Sequence, residues 1–89
     1  MTKKIAVLVR DRKHEALRMA VGATLMNDEV HVFVMDEKLE SDYEIETDLQ
    51  MLNDLKAKVF SNNPENDFEQ KTTEEIAAIL ADYDVVIPY

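Results

Sequence analysis

The sequence predicts a small α/β domain in which strands alternate with helices around one parallel sheet. Three observations carry this. Continuous apolar, β-branched runs of four to six residues recur along the chain, as strands buried on both faces require. Segments with the 3-4-7 spacing of one helix face separate them. The whole chain has 89 residues, the length of one domain with one modest core.

The elements follow in order. Residues 5–9 (IAVLV) form the first run. Residues 13–26 carry Leu17, Ala20, Val21 and Thr24 on one face, with Asp11 as the expected N-cap. Gly22 lies inside this helix, at a cost of about 1 kcal/mol relative to Ala; close approach to the sheet is its expected use. Residues 30–35 (VHVFVM) are the second strand, with His31 as a hydrogen-bonded structural interruption. Leu49, Leu52 and Leu55 mark a second helix over 46–57. Residues 58–60 are a short third strand, and 84–87 (DVVI) a fourth, closed by Pro88. Between these two, Thr72 and Glu75 make a capping box for a helix over 73–83, whose inner face holds Ile76, Ile79, Leu80 and Tyr83. The order is β-α-β-α-β-α-β, one domain over 1–89 with a four-stranded parallel sheet and right-handed crossovers. Residues 36–47 and 61–72 are left as long polar loops.

Composition excludes several classes. With no cysteine there is no disulfide, no thiolate zinc site and no thiol nucleophile. One glycine cannot build a phosphate-cradling loop. No apolar run approaches the ~20 residues of a membrane span, and the five apolar residues before Arg10 are too few for a signal peptide. A cytoplasmic protein is expected. A net charge of −9 argues against nucleic-acid binding. No cofactor and no metal are implied.

A ligand of an open parallel sheet gathers outside the carboxyl ends of its strands. That edge offers Arg10, Asp11, Arg12 and Lys13 after the first strand, Asp36 and Glu37 after the second, Ser61, Asn62 and Asn63 after the third, and Pro88 with Tyr89 after the fourth. Residues 1–20 hold six basic and two acidic groups, net +4, and the other 69 residues hold four and seventeen, net −13. This basic cluster at a helix start is a candidate anion site, although the favoured reading is that its charges are solvated or pair with acidic loops of another subunit, the ordinary state of exposed charge. The acidic run from Asp36 to Asp48 lacks the ligand order of a calcium loop and reads as solvated. Ser41 and Ser61, the only serines, sit in no nucleophile elbow. Asp11 or Asp36 could serve acid–base chemistry, yet no spacing selects them, and an enzyme is not the favoured reading.

Met19 and Met26 share a second helical stripe, off the Leu17/Val21 face. Such a stripe marks either gap-filling core methionine or a subunit contact. With Tyr43 and Phe68 they are the interface candidates.

The segments KKIAVLVRDR, RMAVGATLMNDEVHVFVMD, KVFSNNPEN and TEEIAAILADYDVVIPY resemble the DsrE/DsrF-like proteins of sulfur-relay systems, over residues 3–89. The resemblance implies a flavodoxin-like three-layer sandwich with strand order 2-1-3-4. It implies homo- or hetero-oligomers, commonly dimers, trimers or hexamers. Active members carry persulfide on a cysteine after a central strand; the matching loop here is Ser61-Asn62-Asn63, without a thiol. The expectation is a non-catalytic, self-associating subunit linked to sulfur or redox metabolism. The alternative is an anion- or nucleotide-binding module in the crevice between strands 1 and 3, using Arg10, Arg12, Asn62 and Asn63.

Overall fold

The protein, seen in a computed structural model that describes residues 3–26, 29–36, 38–40, 42–66 and 68–88, is built on a parallel sheet flanked by helices. The elements are β1 (Lys4–Val9), α1 (Lys13–Leu25), β2 (Glu29–Val34), α2 (Tyr43–Asp54), β3 (Lys58–Ser61), β4 (Glu69–Gln70), α3 (Thr73–Leu80) and β5 (Val85–Pro88). Glu37, Ser41 and Tyr89 lie outside the described residues.

The expected strand count and order are both corrected. Among the described residues the sheet has five strands in the order β4-β3-β2-β1-β5, all parallel. The extra strand is the two-residue β4, inside the segment expected to be loop, where Glu69 pairs with Phe60 and Gln70 with Ser61. The last apolar run lies beside the first strand, and the third lies beside the second. Right-handed crossovers then carry α1 and α2 along one face and return α3 across the other.

Burial follows this arrangement. Ile5, Val7 and Val9 of β1, with Val30, Val32 and Val34 of β2, face α1 and α2, where Leu17, Ala20, Ile45 and Leu52 cover them. Ala6, Leu8, Phe33, Met35 and Phe60 face the other way, onto Ile76. Phe33 and Phe60 stack at 5.2 Å. Alternate residues of each strand thus feed opposite cores, which is why the runs are apolar without interruption. The edge strand β5 departs from this: Val86 remains 39% exposed, and Val85 and Ile87 are only partly buried against the α1/α2 side.

Local chemistry sets the helix ends. Asp11 does not cap α1; Arg12 holds that position with no side-chain bond. α2 starts three residues before its expected bound because Asp42 caps it, accepting from the Ile45 N–H at 2.9 Å. It ends in a Schellman turn: the Lys56 N–H donates to Asn53 and the Ala57 N–H to Leu52, with Lys56 at φ 64°. The expected Thr72/Glu75 capping box is present on α3. α3 stops at Leu80, short of residue 83. Among the described residues, no helix is long and apolar enough to cross a membrane.

Candidate functional site

The carboxyl ends of β1, β2 and β3 bring most of the candidate ligand residues together, but bind them to one another. Asp36 follows β2 at φ 68°, a conformation short polar side chains tolerate. Asn62 holds it there: its Oδ1 accepts from the Asp36 N–H at 2.7 Å, and its Nδ2 donates to Asp36 Oδ1 and to Thr73 Oγ1 on α3. Asn63 Nδ2 donates to the Asp36 carbonyl at 2.9 Å. Ser61 is fully buried. Its hydroxyl donates to the Val34 carbonyl and accepts from the Asn63 N–H and Asn66 Nδ2. Asn66, which the sequence did not single out, also accepts from the Leu39 N–H at 2.7 Å.

The three arginines of the basic cluster lie beside carboxylates of the same chain. Arg10 lies 3.9 Å from Asp36, Arg12 3.8 Å from Glu15, and Arg18 3.9 Å from Glu44. His14 meets Asp42 at 2.7 Å, and this hydrogen bond raises the imidazole pKa. The Ile45 N–H, and after it His14, hold the Asp42 carboxyl below its usual value. Asp11 is exposed and Arg12 points along α1, so neither joins Asp36 and the asparagines. β2 separates β1 from β3, so no crevice lies between those two strands; the strand order reverses between β1 and β5.

The opposite end of the sheet holds a part-buried polar pair. His31 on β2 and Tyr83 after α3 are hydrogen-bonded through Nδ1 and the phenol. This agrees with the expected structural role for His31, while the partner was not foreseen. Burial lowers the His31 pKa and pushes Tyr83 up to about 12. Glu29 lies 3.6 Å from His31 Nε2, and the Lys4 ammonium sits 4.8 Å from the Tyr83 ring centre.

An apolar concavity lies elsewhere, along α1 on the side away from α2. It is a groove of about 570 Å³. Ile5 and Ala23 are buried beside it, Met19, Gly22 and Met26 line it from α1, and Glu15 and Arg18 close one end. Beyond Ile5 the next strand is β5, so the groove occupies the position a third helix would take on this face. Met19 is 39% and Met26 78% exposed, which places the second stripe outside the core. Gly22 does not approach the sheet, contrary to its expected use: a Cβ there would meet nothing within 4 Å. Of the other interface candidates, Tyr43 is 78% exposed at the start of α2, and Phe68 packs inward against the α1/α2 core. Sequence reasoning missed Ile5, Gly22 and Ala23 as groove residues because the groove depends on where β5 lies. The one available signal was the 19-22-26 spacing, which puts Gly22 on the methionine stripe.

A scan of protein-family models, a search of curated proteins and a search of solved structures each returned no match. The class that fold and surface define is a parallel α/β domain with a closed polar network at its strand ends and an open apolar groove on its flank.

Proposed function

We propose that this chain is a non-catalytic assembly subunit that self-associates. The observation that carries the reading is the groove beside α1, with Met19, Gly22 and Met26 exposed on a helix whose other side is fully used by the core. Contiguous exposed apolar surface on a small domain marks contact sites. The competing ligand-binding reading is weaker, because Asn62 and Asn63 spend their amides on Asp36, whose carboxylate also lies 3.9 Å from Arg10. The resemblance to the DsrE/DsrF-like proteins supports the assembly role and links it to sulfur or redox metabolism. Without cysteine the subunit would support such an assembly and not carry persulfide itself. Native mass spectrometry of protein purified from its own host tests the proposal. A complex of fixed stoichiometry is expected; a strict monomer at every concentration, with no associated chain, overturns it.

A further inference from the structure

We infer that the groove is filled by a second copy of the chain, the two α1 helices packing antiparallel with Met19 of each over Gly22 of the other. The inference rests on the assembly reading and adds its partner and geometry.

The first argument is Gly22. Glycine inside a helix costs about 1 kcal/mol relative to Ala, and three uses would justify it. The backbone does not demand it, since no glycine has positive φ. Packing within the chain does not demand it either, since its Cβ position is open to 4 Å. Close approach of another molecule is the remaining use. The second argument is the stripe itself. Met19, Gly22 and Met26 stand three and four residues apart, and a long flexible side chain beside a gap on one helix face is self-complementary. With a two-fold axis between residues 20 and 21, Met19 lies opposite Gly22 of the second copy, and Met26 opposite the aliphatic stem of Glu15.

Charge selects a second copy over a cationic partner. Lys13, Arg18 and Glu15 give α1 a formal charge of +1, leaving −10 on the rest of the chain. A basic partner would be drawn to α2 and α3, whose first turns carry Glu44 and Glu46, and Glu74 and Glu75. Of the three helices, α1 alone is not net acidic, so two copies of this acidic chain meet helix to helix with least repulsion along α1. The antiparallel sense sets the helix dipoles head to tail and keeps Arg18 away from Arg18.

The test uses the full chain. Gly22→Gln places a good helix former at an open position, so the fold is expected to hold or gain thermal stability. Sedimentation velocity over about a hundredfold concentration range should show the dimer dissociation constant raised at least roughly tenfold, about 1.4 kcal/mol. A Gly22→Gln variant that associates like the parent overturns the inference while leaving assembly standing. A parent that is monomeric throughout overturns the inference and removes self-association as well. Because the chain has no cysteine, crosslinking gives a second readout. Met19→Cys lies close to the two-fold axis and should form a disulfide-linked dimer under mild oxidation. Met51→Cys on α2, at the same 39% exposure, should not; equal crosslinking of the two refutes the geometry.

Discussion

Replacing Tyr83 by Phe removes one oxygen and tests what anchors the end of α3. The ring keeps its place: it lies 5.9 Å from Phe33 and 5.3 Å from His31, edge-on to each. What is lost is the hydrogen bond to Nδ1 of His31, whose side chain is only 14% exposed. An orphaned buried polar atom costs about 1–3 kcal/mol, and the residual exposure puts this one near the lower half, about 1–2 kcal/mol. For a domain of this size that is roughly 5–12 °C in Tm. Urea unfolding of parent, Tyr83→Phe, His31→Leu and the double variant gives the coupling directly. A Tyr83→Phe variant within about 0.3 kcal/mol of the parent, or strictly additive effects, would refute the reasoning. The same variant has a pH signature. Tyr83 has its pKa pushed up to about 12 from 10.0, so the folded state holds a proton that the unfolded state releases. This contribution is complete below pH 10 and disappears as pH rises towards 12. Tyr83→Phe should therefore lose less stability than the parent across that window. At the acidic end, burial lowers the His31 pKa, so the unfolded chain binds the proton first. His31 then makes the fold lose stability as pH falls below about 6.5.

Three further outcomes are expected. His14→Gln should act with the opposite pH sign: the Asp42 hydrogen bond raises the His14 pKa, so its contribution is present below about pH 6.5 and lost above the folded pKa. Thermal melts should show this variant further below the parent at acidic pH than at alkaline pH. Ser61→Ala should cost about 2–3 kcal/mol in urea unfolding, because it removes at once the bonds that one buried hydroxyl makes to the Val34 carbonyl, the Asn63 N–H and Asn66 Nδ2. Lys56→Gly should raise stability by about 0.5–1 kcal/mol in the same assay. It relieves a left-handed non-glycine residue, offset in part by a looser unfolded chain.

What the sequence disclosed and what it withheld divide along a physical line. The alternation of strands and helices is local, written in runs such as IAVLV and in the Thr72/Glu75 box, and the structure bears it out. Helix ends were less legible where the signal was a single side chain. Asp42 captured the start of α2, while Asp11 left the start of α1 to Arg12. Strand order is not local at all. Right-handed crossovers permit 2-1-3 and 3-2-1 alike; they differ in whether α1 and α2 share a face. The amphipathic stripe of α2, Ile45 with Leu49 and Leu52, suits either face. The interface that accompanies the observed arrangement is α1 against α2, where His14 meets Asp42 and Arg18 meets Glu44. Those pairs are visible only once the helices are side by side. The candidate ligand residues suffered the same limit, since Asn62 closing on Asp36 cannot be read from either loop alone.

The edge strand exposes the remaining tension, and it concerns the surface on which the proposed function rests. Val85, Val86 and Ile87 have the continuous apolar character of a strand covered on both faces. In the isolated chain they sit at the rim, Val86 39% exposed and Val85 and Ile87 partly covered. Sequence pattern and position disagree here, whereas in β1 and β2 they agree. Val85 and Ile87 share the α1 flank of the sheet with Ile5, whereas Val86, the partner of Ala6, faces the α3 side. Pairing of α1 with a second copy would bring apolar side chains over Ile5 and the neighbouring Val85 and Ile87, the same flank of the sheet. The groove, the glycine and the mismatched strand are adjacent, and one partner on that flank explains the first two and improves the third.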